Sequence, residues 1–266
     1  MTDNYHTSPG VSWSRLKHLR ESPIHYRHHL TNPVETTPAM VLGTATHLAV
    51  LEPERFESEV AVWTGGTRRG KVYDEWVAES EGKLQLREQD LPQILGMASA
   101  TRNHPAAAEL LRQGVAETEL RWTDERSGLE CRGKVDWLDL TRGILLDFKT
   151  TRSTSERALM RQVADMGYHC QMEHYRRGVE ATTGVSPRVY IIAVESSAPY
   201  DVSVYELDDG VPDGALHVGG QILDDLLGRL AECVRLDEWP GRQPEVRNLC
   251  LPGWALIEPD ITFGEE

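Results

Sequence analysis

The chain has 266 residues, with 42 acids against 28 Lys and Arg and a formal net charge of −14, and it is long enough for one large domain with a full core. No apolar run approaches the roughly 18 residues a membrane helix needs, and the opening MTDNYHTSPG lacks the basic-then-apolar pattern of a secretory signal; the expectation is a cytoplasmic protein with no membrane partner. The charge is uneven: residues 195–266 hold 16 acids and four Arg, whereas residues 1–194 hold 26 acids and 24 bases, which leaves room for basic patches facing phosphate.

Taken in chain order, VSWSRLKHLRESPIHYRHHL reads as a helix capped by Ser12 or Ser14, broken near Pro23 and followed by a second short helix. TNPVETTP is a loop. AMVLGTATHLAVL, from about Met40 to Leu51, is a buried helix with His47 inside it. TGGTRRGK is a glycine-rich basic loop, and helical patterns follow at about 71–80, 88–103 and 105–113. ETELRWTD, LECRGKVDWLDL and ILLDFKTT then read as strands separated by the turns ERSG and TRG. A long helix is expected from about Ser155 to Thr182, then strands PRVYIIAVESS and YDVSVYEL, and a helix GALHVGGQILDDLLGRLAECVRL. Nothing resembles a repeat or a low-complexity linker. The pattern predicts a single α/β domain with a central mixed sheet: a helical part to about residue 115, a core over about 116–240 and an irregular tail over 241–266.

The four cysteines (Cys131, Cys170, Cys233, Cys250) are too far apart for a disulfide framework or a zinc knuckle, so reduced thiols are expected. His25, His28 and His29 invite a zinc reading, but no cysteine or acid nearby completes a tetrahedron. A basic, DNA-facing helix is preferred.

Chemistry concentrates in CRGKVDWLDLTRGILLDFKTT. Asp147 and Lys149 share one face of a strand while Phe148 points away. The short turn between Asp136 and Asp147 sets these two acids on neighbouring strands, while alternation sends Trp137 to the core. Buried charge is costly unless it is paired or holds a cation, and two carboxylates form a hard-oxygen site for Mg²⁺ or Mn²⁺. Metal-assisted phosphodiester hydrolysis is one reading; a surface hairpin with a Lys149–Asp ion pair is the other.

The neighbouring motifs resemble the RecB-like branch of the PD-(D/E)xK nuclease superfamily. Asp136, Asp147 and Lys149 stand at its acid, acid and lysine positions, Gln171 and Tyr175 of QMEHY match its Q-x-x-x-Y signature, and His47 matches its helical histidine. The opening SWSRLKHLRESPIHY is similar to that branch's opening motif. Together with PAMVLGTATHLAVLEPERF, HPAAAELL, DFKTT and GYHCQMEHY it resembles the RecE-type, exodeoxyribonuclease VIII-like family over about residues 5–255. Val135 replaces the proline before the first acid. Ser22 stands where iron–sulfur members carry a cysteine, so no iron–sulfur cluster is expected.

The resemblance implies a Mg²⁺-dependent exonuclease, with Mn²⁺ as a substitute, acting 5′ to 3′ on double-stranded DNA ends in phage-type recombination. Metal would be held by His47, Asp136, Asp147 and the main-chain carbonyl of Phe148, with Lys149 beside the attacking water and Gln171 and Tyr175 holding water or strand. Tyr168 shares their face and is taken as structural. Partners implied are a single-strand annealing protein and a ring of three or four copies. Arg15, Lys17, Arg20, Arg27, Arg68, Arg69 and Lys71 are candidate DNA contacts, and His174, Arg176 and Arg177 a solvated helix end. A structure-selective or single-strand nuclease, and a non-catalytic DNA-binding protein on the same fold, remain as alternatives.

Overall fold

The computed structural model describes residues 9–32, 36–208, 210–243 and 245–253. The first eight residues, part of the TNPVETTP loop and the end of the expected tail lie outside them. Five strands form one sheet in the order β3 (Val115–Thr123), β4 (Glu130–Asp139), β5 (Ile144–Thr151), β6 (Arg188–Glu195) and β7 (Val202–Leu207). Within this sheet, among the described residues, the β5–β6 pair alone is parallel, and its crossover is helical, the usual link for such a pair.

Alternation along the central strands divides the core in two. Leu145, Val189 and Ile191 face one layer, while Ile144, Leu146, Phe148, Tyr190 and Ile192 face the other. The first layer is covered by α1 (Trp13–Leu16), the 3₁₀ turn Lys17–Arg20, α2 (Pro23–Thr31), α9 (Tyr168–Thr183) and α10 (Ala215–Leu236). The second is covered by α3 (Pro38–Leu51), α6 (Leu91–Asn103) and α7 (Pro105–Leu110). Buried on both faces, β6 reads RVYIIAVE, the near-continuous apolar run such a strand needs.

Two features depart from the expected elements. The long helix over 155–182 is two helices, α8 (Glu156–Met166) and α9, because Gly167 takes φ +70°. A side chain there would strike Trp13 at 2.6 Å; the close approach of α1 sets the break. Upstream, α4 (Pro53–Glu59), β1 (Val60–Trp63), α5 (Lys71–Glu79) and β2 (Leu84–Arg87) form a small flap whose two strands pair in parallel. Strands of four residues carry too little periodicity to be read from sequence.

Candidate active site

β4 and β5 pair through Trp137↔Leu146, Leu138↔Leu145 and Asp139↔Ile144, and the ladder stops there. Continued by one step, this register sets Asp136 opposite Asp147, as the turn length predicts. On the other side, β3 and β4 pair through Ala116↔Trp137 and Thr118↔Val135, which sets Glu117 opposite Asp136. Three acids from three adjacent strands therefore form a row across the sheet where both ladders are interrupted. Glu117 has φ +57°, a left-handed conformation rare for a residue with a long side chain. The kink changes which face the strand ends address. Ala116 packs in the second core layer although Leu120 and Trp122, at even offsets, belong to the first. In β4, Val135 and Trp137 divide the same way. Trp137 is consequently half-buried at the second layer's rim, with its indole N–H on the Gln113 carbonyl at 3.3 Å, and not a core residue.

The gap beyond the β4–β5 ladder is closed by a side chain. Asp136 Oδ2 accepts the Phe148 N–H at 2.8 Å. In an extended residue N–H and C=O leave on the same side, so the Phe148 carbonyl opens on this gap too.

His47, on α3, reaches the row from the second layer. Its Nε2 lies 3.1 Å from Asp136 Oδ2 and its Nδ1 3.3 Å from Glu117 Oε1. Burial works to lower the imidazole pKa, but the Asp136 carboxylate, with Glu117 and Asp147 behind it, more than reverses that and raises it. Asp136 is likewise opposed by its own burial, yet contact with His47, the Lys149 charge and the Phe148 N–H hold it below the usual carboxylate range. Among the described residues, His47, Glu117 and Asp136 are the group whose donor atoms converge closely enough for one metal ion. Glu117 also pairs with Lys134.

Asp147 and Lys149 lie on the opposite face. Asp147 is buried, and neither oxygen has a well-aligned hydrogen bond, although Lys149 Nζ approaches Oδ2 at 2.6 Å. Burial pushes its carboxyl up to about 6, the Asp136 charge adding to this and Lys149 opposing it. Lys149 itself is pushed above its ordinary range because the Asp147 and Asp136 charges outweigh its burial. Its ammonium lies 4.8 Å from the Tyr168 ring centre, a cation–π contact at the first residue of α9. This is the Lys149–Asp pair that a surface hairpin also predicted, here inside the protein and facing a cavity. His47, Glu117, Phe148, Lys149 and Tyr168 line that cavity of about 520 Å³, with the N-terminal turn of α3 as its far wall.

Gln171 and Tyr175 sit further along α9. The Gln171 amide donates to the Tyr175 hydroxyl at 3.0 Å, and the Tyr175 ring lies so close to Gly133 of β4 that a Cβ there would meet it at 2.8 Å. Tyr168, expected to be structural, is the α9 residue that meets Lys149. His174, Arg176 and Arg177 are not a solvated helix end. His174 is buried against the Arg132 carbonyl, its pKa driven down to about 4 by burial. Arg176 and Arg177 both clamp Glu173, and Arg177 reaches Asp224 of α10 at 2.6 Å.

Of the basic residues named from sequence, Lys17 is half-buried near the site, its ammonium lowered first by burial and then by Lys149. Arg20 caps the end of α8 by donating to the Asp165 and Ala164 carbonyls, and Arg27 lies between Asp237 and the Trp239 ring. Arg15 is partly buried on α1. Arg68, Arg69 and Lys71 are exposed on the flap. The residue that sequence reasoning missed is Glu117. Its one signal is register: counting back across the ERSG turn sets it opposite Asp136.

A mixed sheet flanked by helices, with acids and a lysine gathered where its central ladder opens, defines a PD-(D/E)xK-like domain. The chain belongs to the family described as a PDDEXK-like domain of unknown function (DUF3799), whose model matches residues 12–250. A crystal structure from Eubacterium rectale, described as a "Putative exonuclease", is similar with a TM-score of 0.65 over 95% of each chain at 14% identity, a likeness of fold. A second structure, of SSO0001, covers 91% of this chain and 90% of its own at 14% identity, but its TM-score of 0.32 carries no argument. No curated protein matches the chain. Among the described residues no helix is long and apolar enough to cross a membrane.

Proposed function

We propose that the protein is a divalent-metal-dependent deoxyribonuclease, acting as an exonuclease on double-stranded DNA ends. The observation that carries this is the row Glu117–Asp136–Asp147 at the opening of the sheet, with Lys149 and His47 on its two faces. Clustered carboxylates are costly to bury without a cation among them. The two buried Asp147 oxygens lack aligned donors, so a hard cation such as Mg²⁺ fits the donor set. His47, Glu117 and Asp136, whose donor atoms converge, would hold one ion, and Asp147 with the Phe148 carbonyl would complete the donor set for that ion or a second. When bound, the ion supplies charge neutralisation at the scissile phosphate and a more acidic water.

The chain's own groups do the rest. Lys149, kept charged by Asp147 and oriented by the Tyr168 ring, presents a fixed cation to the cavity. In that state it donates hydrogen bonds to phosphate or to the attacking water and accepts no proton. Asp136, pinned by the Phe148 N–H, bridges the strand gap and stays aimed into it. Gln171 and Tyr175, locked to each other, form a polar rail further along the same helix. The exonuclease reading draws on the likeness to the Eubacterium rectale fold and on the motif resemblance. The RecE-type assignment, 5′-to-3′ polarity, phage-type recombination, an annealing-protein partner and a ring assembly rest on that resemblance.

Incubation with linear, nicked and covalently closed plasmid, with and without Mg²⁺, tests the proposal. Linear DNA is expected to be degraded from its ends, the closed circle spared and EDTA to stop the reaction. Equal attack on closed circles would replace the exonuclease with an endonuclease, and full activity in EDTA would remove the metal.

A further inference from the structure

We propose that the flap beside the active site grips an unpaired DNA strand, with Trp63, Tyr73 and Trp76 as its stacking surface and Arg68 and Arg69 as its phosphate contacts. This deepens the nuclease reading and rests on it for the choice of substrate.

Three large aromatic side chains gather in the short excursion from β1 to α5. Trp63 lies 5.2 Å from Tyr73 and 5.3 Å from Trp76, and Tyr73 stacks on Trp76 at 5.8 Å with their planes 25° apart. None of the three is buried, and none belongs to either core layer. All three are partly exposed and packed on one another outside the core, and an accessible aromatic cluster of this kind marks a recognition surface. Tyr73 and Trp76, three residues apart, share one face of α5. The acids Asp74 and Glu75 fall to its flank, and Glu75 is taken up by Lys71 at 3.6 Å.

The loop TGGTRRGK places cations on this surface. Gly66 and Gly70 take φ +72° and +89°, which lets the loop turn back, and the Trp63 indole N–H meets the Gly66 carbonyl at 3.4 Å. Arg68 comes to lie over the Tyr73 ring, 5.9 Å from its centre. Among the described residues neither Arg68 nor Arg69 has an ion-pair partner; Asp90, the acid whose field Arg68 feels, is already clamped by Arg87 at 2.6 Å.

Geometry ties this surface to the cleft. Arg68, with Gln85 and Arg87 of β2, lines a second cavity of about 420 Å³, and Ala39 of α3 lines both it and the active-site cavity. A strand crossing the first turn of α3 passes from one to the other. Interleaved cations and ring faces suit a single strand, whose bases are free to stack, and not a duplex, whose bases are already stacked.

The test uses the full chain in EDTA, so that binding is read without cleavage, and a short fluorescein-labelled oligo(dT). Arg68→Ala/Arg69→Ala is expected to weaken binding about tenfold and to flatten the slope of log affinity against log salt by about 1.4, two phosphate contacts' worth. Tyr73→Leu is expected to weaken binding about tenfold with the slope unchanged, and Tyr73→Phe to restore it. Circular dichroism and thermal melting of each variant separate lost contact from lost fold, and the arginine pair keeps all three rings while removing only the Arg68 contact on Tyr73. Wild-type affinity and slope in the arginine variant, or wild-type affinity in Tyr73→Leu, overturns the proposal. The same preparations, given Mg²⁺ and linear plasmid, keep the two readings apart. Cleavage with unaltered oligo(dT) binding by the flap variants removes the flap alone, whereas flap-dependent binding without cleavage by the wild type removes the nuclease and leaves the flap.

Discussion

At the scale of single residues, the site divides its labour between the two faces of one sheet. Asp147→Asn is expected to abolish cleavage while keeping a cooperative unfolding transition, because the amide is isosteric and relieves repulsion from Asp136. Glu117→Gln is expected to weaken Mg²⁺ binding at least about tenfold by calorimetry, the loss typical when a residue supporting a metal site is removed. Glu117→Gly adds a second reading. Glycine takes φ +57° freely, and a strained conformation costs about 1–3 kcal/mol, so metal affinity should fall while stability holds or rises. Protonation gives a further expectation. In the metal-free protein His47 is raised above its unfolded value and Asp147 is raised to about 6, so the folded state binds more protons than the unfolded one. The stability these protons supply is present at low pH and is lost as pH rises through about 6 and then through the His47 value. Asp136, held low, is already ionised in that window. A divalent ion competes with the same protons, so the increase in Tm on adding Mg²⁺ should grow from pH 5.5 to pH 8 (about the range in which histidine and raised carboxyls titrate). A Mg²⁺ effect on Tm that shrinks with pH would contradict the assignment. Asp136, Asp147, Lys149 and His47 were legible because their residue types are expensive inside a strand or an apolar helix. Glu117 was not, since an acid on a hairpin strand facing solvent reads the same as one turned inward by a positive φ.

At the scale of elements, the Gly167 break matters as much as the strands. It lets α1 approach α9 closely enough that Trp13 and Arg20 both touch the turn, and it starts a new helix at Tyr168, under Lys149. A side chain at this left-handed position costs about 1–2 kcal/mol, and the Trp13 contact adds to it. Gly167→Ala is therefore expected to lower unfolding stability by more than about 1 kcal/mol in urea titrations and to reduce turnover by shifting Tyr168. Loss of neither would mean that α1 yields easily. The five strands of the sheet and most helices followed from alternation and turn residues. The split helix did not, because DMGYHC continues the apolar spacing on either side of a single glycine, and only the tertiary approach of Trp13 tells that glycine from a tolerated one. The flap escaped for a similar reason, its strands being held by each other and by α3.

At the scale of the whole molecule, charge and function pull apart. With 16 acids against four Arg from residue 195 onward, overall attraction cannot keep the chain on duplex DNA. The proposed ring of copies would retain its substrate by topology, and closure would need a heterologous interface repeated by rotation. Steep salt dependence of loading through counterion release, with little effect on an enzyme already engaged, is the expected signature. Light scattering with a trap-DNA challenge reads both, and a monomer that releases DNA after each cut would overturn the ring.

The row of acids also makes the chain a counted length. One residue from each of three strands must arrive at the same level, so the two turns between them differ in how much change they tolerate. Residues 124–129, between β3 and β4, are tied by Asp124 to Ser127 and by Arg126 to Asp224 of α10 and include the exposed Glu125 and Gly128; an inserted pair there costs those surface ties but leaves the ladder that carries Glu117 and Asp136. The turn after β4 is stapled: Arg142 holds Asp139 and donates to the carbonyls of Glu109, Leu110 and Gln113. An insertion beside Arg142 tears that clasp, and a single extra residue between Asp136 and Asp147 turns Asp147 and Lys149 to the wrong face together. Natural length variation in this lineage should therefore accumulate in the first turn and be absent from the second.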